Sequence, residues 1–282
     1  MSLTLPRTPS PFYEVEALVV SHERVVGAEY EIVFHAPAIA ESARAGQFVE
    51  VLFGEGYAPL VRRPFSIFRA NRDAGTCSIL YVARGSFTSA LARKQVSDRL
   101  SVVGPLGNRF QWELRGGSQP VLIAGGIGAP PITFLAREMC EGESSLKYRP
   151  VVINAAKTRD LLVGQVEFGA LEVSLHAITE DGSHGRQGRA TELLREIVYN
   201  AKAPLALYAC GPMPLLKAIS DIAQEFALPC QVSVETPMPC GIGVCNSCAI
   251  AVHDLHTQQT RTVRACWEGP VFEASNLVWE GY

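Results

Sequence analysis

The residues best suited to chemistry form a cysteine-rich loop near the carboxyl end of the chain. Three cysteines are spaced C-x4-C-x2-C and a fourth follows downstream: Cys240, Cys245, Cys248 and Cys266. Four thiolates with this spacing are typical of a plant-type [2Fe–2S] cluster. Gly241 and Gly243 lie inside the loop, where the lack of a Cβ lets backbone N–H groups approach the cluster's sulfurs.

Two other interpretations of these cysteines remain open from the spacing. One is a structural zinc site, although zinc ligands usually come as two short-spaced pairs and Cys266 stands apart from the other three. The other is a set of unrelated buried thiols. The remaining cysteines lie in apolar stretches and are expected to be buried: Cys77, Cys140, Cys210 and Cys230. Without an expected disulfide, we predict a reducing compartment and a cytoplasmic protein.

The composition is that of an ordinary globular protein with several domains. The chain has 282 residues, of which 48% are hydrophobic and 19% charged, with a net charge of −3. This length suits two or three domains. The weak negative charge gives no reason to expect nucleic acid or an anionic membrane as partner. No apolar run is long enough to span a membrane, and the N-terminal residues lack a signal peptide's apolar core and are expected to form a flexible arm.

Periodicity predicts a barrel followed by an α/β domain. Short β-rich runs lie at residues 13–26, 30–37, 47–53, 64–69, 77–83 and 100–103, with one helix expected over 86–95. Strands at this spacing favour an antiparallel β-barrel. Beyond residue 116, strands at 121–124, 151–154, 173–179 and 205–209 alternate with helices at 131–140, 190–200 and 215–226, which predicts a parallel sheet. A last strand, 230–235, leads to the cysteine loop. The predicted domains are 12–115, 116–229 and 230–282.

Residues on two predicted barrel strands could bind a nucleotide. The first group is Arg63, Pro64, Phe65 and Ser66, where an arginine and an aromatic share one strand face. The arginine can bind phosphate while the ring packs on a flat heterocycle. The second group is Leu80, Tyr81 and Val82, followed by Gly85, Phe87 and Thr88, where a helix N-terminus could bind a pyrophosphate. A solvated arginine and ordinary helix capping are the alternatives.

Two further loops follow strands of the predicted parallel sheet. One contains Gly125, Gly126 and Gly128, and the other Cys210, Gly211 and Pro212. The first departs from the G-x-G-x-x-G fingerprint because Pro131 occupies the third glycine position. Ligands bind at the carboxyl ends of such strands, so we expect both loops to face one pocket.

In this order the motifs resemble those of the ferredoxin–NADP reductase-like flavoproteins, most closely the electron transfer subunits of class 1B dihydroorotate dehydrogenases. Residues 63–66 resemble the R-P-x-S flavin strand, and 125–131 resemble the G-G-I-G-x-P-P turn. Residues 85–91 resemble the G-x-G-T-x-x-L turn, with Phe87 replacing a glycine. Residues 235–245 resemble E-x-x-M-x-C-G-x-G-x-C, and 266–272 resemble C-x-D-G-P-V-F, with Glu268 replacing the aspartate.

The resemblance implies an electron relay rather than acid–base catalysis. It implies FAD on the barrel, NAD(H) on the α/β domain and a [2Fe–2S] cluster on the four cysteines. It also implies an FMN-containing dihydroorotate dehydrogenase catalytic subunit as partner, in a heterotetramer serving pyrimidine biosynthesis. No catalytic side chain is expected, since the cofactors supply the chemistry.

Two rival functions remain. One is the small subunit of another NAD(P)H-linked ferredoxin oxidoreductase or cytoplasmic hydrogenase, against which stand the Gly-Ile-Gly-Val-Cys loop and the long gap between Cys248 and Cys266. The other is a zinc-stapled nucleotide-binding regulator without redox activity. Flavin and iron–sulfur absorb visible light whereas zinc does not, so colour distinguishes them.

Overall fold

The computed structural model describes residues 11–54, 61–115, 117–141, 146–254 and 259–280. The predicted N-terminal arm lies almost entirely outside these ranges. So do residue 116 and residues 281–282, which contain two of the predicted domain limits.

Six antiparallel strands close into a barrel in the order β1-β2-β5-β4-β3-β6, as predicted. The strands are β1 Tyr13–Val26, β2 Glu29–His35, β3 Phe48–Leu52, β4 Arg63–Asn71, β5 Thr76–Val82 and β6 Arg99–Leu106. Alternate residues point inward, as the two-residue period of a strand requires. Ile32, Ile79 and Val102 are among the side chains fully buried inside.

Two short helices belong to the barrel region, α1 Pro37–Ser42 and α2 Ser86–Leu91. The sequence did not predict α1, and it predicted α2 to run four residues longer. The chain leaves the helix in turns after Leu91, and the Asp98 carboxylate accepts the N–H of Gln95 in a side-chain-closed turn. Ser97 then takes a positive φ of 75°, which no helix accommodates.

A seven-stranded sheet follows in the order β10-β9-β8-β7-β11-β12-β15, in which β15 is Val271–Glu273 from the C-terminal region. Its parallel strands are β7 Gln119–Gly125, β8 Val151–Ala156, β9 Ser174–Thr179, β10 Arg186–Gln187, β11 Leu205–Cys210 and β12 Cys230–Ser233. The helices are α3 Ala129–Glu141, α4 Gln165–Gly169, α5 Ala190–Tyr199 and α6 Met213–Glu225. Every residue of β11 is buried, because helices cover both faces of a parallel sheet.

Short 3₁₀ turns occur at Glu113–Arg115, Gly126–Gly128, Arg159–Leu161 and Ala274–Asn276. Across the described ranges, no helix is long and apolar enough to cross a membrane.

The C-terminal region is joined directly to the sheet. Its elements are β13 Ala249–His253, β14 Thr260–Arg264, α7 Ala265–Glu268 and β15 Val271–Glu273. Strands β13 and β14 form a separate antiparallel pair, whereas β15 pairs antiparallel with β12. The cysteine loop connects β12 to β13, so both ends of the region are tied down by hydrogen-bonded strands. The residue limits of the three domains stay a prediction.

Candidate functional site

Two glycines bend the cysteine loop into a shape that other residues could not follow. Gly241 has φ +64° and Gly243 has φ +79°, both in the left-handed region. A Cβ at residue 241 would lie 2.6 Å from Glu50 Cγ, and one at residue 243 would lie 3.2 Å from Trp267 Cβ. The loop therefore packs closely on the barrel on one side and on α7 on the other.

Backbone N–H groups of this region point at cysteine sulfurs. The N–H of Gly243 donates to Cys266 Sγ at 3.2 Å. The N–H of Cys245 donates to Cys240 Sγ at 3.5 Å, and that of Cys266 to Cys248 Sγ at 3.5 Å. Such bonds stabilise negative charge on sulfur and tune the potential of a bound cluster.

The thiols differ in how readily they ionise. Burial opposes ionisation of Cys240, but the N–H groups of Cys245 and Ile242 outweigh it and lower the pKa of this thiol to about 6. Burial, followed by the neighbouring Cys248, raises the pKa of Cys266 to about 12. Because a metal ligand must be a thiolate, loading the site would release a proton from Cys266.

The four sulfurs fall into two pairs. Cys248 Sγ and Cys266 Sγ lie 3.3 Å apart, and the Cys245 side chain interacts with that of Cys240. Within the part of the chain that the structure describes, no three His, Cys, Asp or Glu side chains converge on one metal position. A tetrahedral zinc ion needs four converging ligands, whereas a cluster with two irons takes two thiolates at each iron. The donor set and its pairing therefore fit a [2Fe–2S] cluster.

Arg264 fixes the cysteine loop to the following helix. Its guanidinium donates to the carbonyl of Gly243 at 2.9 Å and to Glu268 Oε1 at 3.2 Å. Glu268 Oε2 in turn accepts the backbone N–H of Arg264 at 2.8 Å. The longer glutamate at the position where the family motif has aspartate thus holds the arginine that orients the loop.

Glu50 lies beneath the loop and was not identified from sequence. Its side chain is fully buried and its carboxylate oxygens have no hydrogen-bond partner among the described residues. Burial, followed by the charge of Cys240, raises the pKa of Glu50 to about 8. The carboxyl group is therefore largely protonated at neutral pH, and adds little negative charge beside the thiolates.

Next to the cysteine loop lies a cavity of about 400 Å³ between the barrel and the sheet. Several residues predicted to bind a cofactor line it: Pro64, Phe65, Ser66, Leu80, Tyr81, Val82, Thr88 and Cys210. Others on its walls were not predicted: Phe48, Arg84, Ile127, Pro130, Ser233, Val234, Glu235, Thr236, Met238 and Pro270. The remaining predicted residues are not among its lining: Arg63, Gly85, Phe87, Gly125, Gly126, Gly128, Gly211 and Pro212.

Tyr81 is held in place by a side chain from β1. Its hydroxyl lies 2.8 Å from Nε2 of His22, whose Nδ1 lies 2.7 Å from the carbonyl of Lys94. A carbonyl can only accept, so Nδ1 carries the proton and Tyr81 donates to Nε2. The Tyr81 ring stacks on Tyr30 at 5.8 Å and meets Phe65 edge-on at 6.0 Å. These contacts give the cavity a rigid aromatic wall suited to a flat heterocycle.

Two exposed arginines lie at the barrel side of the cavity. Arg84 lines it, and the Arg63 guanidinium lies 5.6 Å from the centre of the Phe87 ring. Phe87 itself is buried against Phe53, with ring centres 4.7 Å apart. In this position Phe87 supports Arg63 from below, which gives the residue a packing role where the family motif has glycine.

Thr88 fixes the turn beside these arginines. Its hydroxyl oxygen accepts the N–H groups of Arg84 at 3.0 Å and Gly85 at 3.1 Å. The cationic side chains and the ordered turn together suit a pyrophosphate.

The two predicted loops of the sheet are in contact at its carboxyl edge. A Cβ on Gly128 would lie 2.4 Å from the carbonyl carbon and oxygen of Cys210, and one on Gly211 would lie 3.0 Å from Gly125 Cα. Glycine is therefore required on both sides. Ile127 and Cys210 line the same cavity, as the shared edge of the sheet predicted.

Polar contacts set the barrel against the sheet. Glu29 Oε1 on β2 accepts the N–H of Gly164 at 3.2 Å, and Arg69 on β4 forms an ion pair with Glu167 on α4. Burial raises the pKa of Glu29, and the Gly164 bond only partly offsets this effect. These contacts join the barrel to the segment at Gly164 and to α4 of the sheet domain.

Comparisons with known proteins agree with this geometry. The family model "Iron-sulfur cluster binding domain of dihydroorotate dehydrogenase B" matches residues 235–278, which include all four cysteines. The electron transfer subunit of dihydroorotate dehydrogenase B (NAD(+)) from Desulforamulus reducens is 37% identical over 265 residues, covering 94% of this chain and 98% of that protein. The chain belongs to this family of electron transfer subunits. The family member from Bacillus caldolyticus is 34% identical, and the match covers 93% of this chain and 98% of that protein.

Solved structures place the fold of this family member among the ferredoxin–NADP reductase-like proteins. An NADH-dependent reduced ferredoxin–NADP oxidoreductase, studied for flavin-based electron bifurcation, superimposes with TM-score 0.79 at 25% identity, covering 94% of this chain and 91% of that one. The cytochrome b5 reductase domain of Ulva prolifera nitrate reductase superimposes with TM-score 0.62 at 17% identity. The match covers 77% of this chain and 94% of that domain. The predicted fold class, a barrel, a parallel-sheet domain and a C-terminal iron–sulfur region, is confirmed.

Proposed function

We propose that this chain transfers electrons between NAD(H) and the catalytic subunit of a dihydroorotate dehydrogenase B, using FAD and a [2Fe–2S] cluster. One observation carries the proposal. A single cavity has walls from the barrel, from the carboxyl edge of the sheet and from the segment that runs into the cysteine loop. A flavin, a nicotinamide and a cluster held by these three walls would be neighbours.

The barrel side of the cavity suits FAD. Phe65, Ser66 and Tyr81 would hold the ring system, and Arg63, Arg84 and the turn at Gly85–Thr88 would bind the pyrophosphate. The loops at residues 125–131 and 210–212 would position the nicotinamide of NAD(H). FAD when bound takes up two electrons together and releases them singly, and the cluster carries one at a time.

The four cysteines would hold the cluster as two pairs, Cys240 with Cys245 and Cys248 with Cys266. The N–H groups of Gly243, Cys245 and Cys266 orient toward the sulfurs and would stabilise their charge. The rival function as a zinc-stapled regulator fits less well, because the sulfurs do not converge on one point and a cavity with an aromatic wall lies next to the cysteine loop.

We further propose that the partner carries FMN, that the assembly is a heterotetramer, and that the partner docks at the cysteine loop. Val244 is 73% exposed and Ile242, two residues earlier, is partly buried. An exposed apolar side chain between cluster ligands is the composition of an interface core and not of a solvated loop. Electron delivery also requires the cluster to lie near the surface that the partner covers.

The test is reconstitution from separate subunits. The isolated chain should oxidise NADH with an artificial dye and show no turnover of dihydroorotate. Adding the catalytic subunit should couple oxidation of dihydroorotate to reduction of NAD. Dihydroorotate turnover by the isolated chain would contradict the relay, and failure of dye reduction by a chain loaded with flavin would contradict the NAD(H) assignment.

A further inference from the structure

The cavity between the barrel and the sheet has two charged side chains among its described lining residues. Arg84 follows β5 on the barrel side, and Glu235 lies two residues beyond the end of β12. Arg84 adjoins the turn that suits a pyrophosphate, so phosphates would match its charge. The carboxylate of Glu235 has no such assignment, although a charge on a cavity wall acts on any charge that a ligand brings.

The backbone that leads into Glu235 is held at the carboxyl edge of the sheet. Ser233, the last residue of β12, is in register with Cys210, the last residue of β11, and its side chain is hydrogen-bonded to the Cys210 thiol. The N–H of Val234 then donates to the carbonyl of Pro270 at 3.0 Å. Glu235 therefore leaves the sheet beside the loop that begins at Cys210.

The carboxylate of Glu235 is accessible and free of protein partners. The residue is exposed, and among the described residues its side chain makes no hydrogen bond or ion pair. Neighbouring atoms nevertheless raise the pKa of its carboxyl group, because desolvation disfavours the charged form. The charge of Glu235 also acts on the buried Cys210 thiol. An exposed group that is partly desolvated lies on a concave wall, in agreement with its place on the cavity lining.

We propose that Glu235 distinguishes the oxidised from the reduced nicotinamide, so that the site binds NAD⁺ more tightly than NADH. The inference rests on the proposed function, which puts the nicotinamide beside Ile127 and Cys210. The nicotinamide ring of NAD⁺ carries a positive charge, whereas the ring of NADH is uncharged. A nearby carboxylate therefore attracts only the oxidised ring. Cys210 does not supply this charge, because burial raises the pKa of its thiol well above the ordinary value and keeps it neutral.

This preference has a consequence for turnover. When the partner oxidises dihydroorotate, NAD⁺ is the electron acceptor at this chain and NADH is the product. A site that attracts the charged ring captures the acceptor, and the attraction ends once a hydride has neutralised the ring, which favours release of NADH. Glu235 is therefore a specificity-determining residue for the proposed reaction.

The experiment measures dissociation constants on the purified chain, loaded with its cofactors and kept oxidised. The ligands are NAD⁺ and tetrahydro-NAD, whose nicotinamide ring is uncharged and cannot donate a hydride. Glu235→Gln removes the charge and keeps the shape, whereas Glu235→Asp keeps the charge. Glu41→Gln is the matched control, because Glu41 is also exposed but does not line the cavity. Flavin content and unfolding temperature check that each variant is folded.

Glu235→Gln should bind NAD⁺ about tenfold more weakly, because one attraction between unit charges is lost, and should bind tetrahydro-NAD as the wild type does. Glu235→Asp should keep most of the preference for NAD⁺, and Glu41→Gln should change neither constant. An unchanged ratio of the two constants in Glu235→Gln would overturn the inference, also where both ligands bind more weakly by the same factor. A wild-type chain that binds neither dinucleotide would instead overturn the proposed NAD(H) site.

Discussion

Replacing Gly128 with alanine tests whether the two loops of the sheet pack as described. The new Cβ would lie 2.4 Å from the carbonyl carbon and oxygen of Cys210 and 2.6 Å from Gly211 N. Ordinary contacts at a Cβ begin near 3.4 Å, so the loops must separate by about 1 Å. All three atoms are backbone, so no side chain can rotate away.

The expected cost is that of overpacking, about 1–3 kcal/mol, which lowers the unfolding temperature by roughly 2–4 °C per kcal/mol. A shift of about 1 Å between Ile127 and Cys210 should also reduce kcat/KM for NADH by up to roughly 100-fold, because the nicotinamide would be misplaced. FAD should remain bound, since the barrel wall is unchanged.

The assay is NADH-dependent dye reduction by flavin-loaded protein, together with thermal unfolding. Gly169→Ala is the matched control, because a Cβ there meets nothing within 4 Å. This control should stay within about 0.5 kcal/mol of wild type. Unchanged stability and unchanged NADH kinetics in Gly128→Ala would refute the loop packing and with it the position of the nicotinamide site.

Three further substitutions test the cluster, the flavin and the partner surface. Cys245→Ser should abolish cluster absorption while most FAD stays bound, and Cys140→Ser should change neither. Arg63→Ala should weaken the binding of FAD by roughly ten- to hundredfold, which is about 1.5–3 kcal/mol. Full retention of flavin after gel filtration would contradict a contact between Arg63 and the pyrophosphate. Val244→Glu should reduce coupled turnover at least about tenfold and spare dye reduction, because a charge would be buried in the contact. The control is Val166→Glu, at another exposed valine (63% exposed), and this variant should leave coupled turnover intact.

Most of the candidate site could be predicted from short motifs, because the residues of each motif are neighbours in the sequence. The cysteine spacing, the aromatic strand at Phe65 and the glycine loops each need only a few adjacent residues to be recognised. The barrel strands were predicted nearly to their ends, since alternation is a local signal. Their assembly around one cavity agrees with the order of motifs along the chain.

The parts that sequence could not supply depend on distant contacts. Glu50 lies on a barrel strand far in sequence from Gly241, so no local pattern pairs them. The pairing of β15 with β12 was missed for the same reason, and Phe87 was read as a cofactor contact because its packing against Phe53 is tertiary.

The proposed relay requires one chain to hold a flavin and a [2Fe–2S] cluster close enough for electrons to pass between them. An anaerobic titration of the purified, loaded chain with NADH, followed by visible absorption and electron paramagnetic resonance, tests it most directly. We expect bleaching of the flavin together with the resonance of a reduced two-iron cluster, and loss of that resonance in Cys245→Ser. A protein containing zinc without visible absorption, or a flavin that NADH reduces while the cluster stays oxidised, would contradict it.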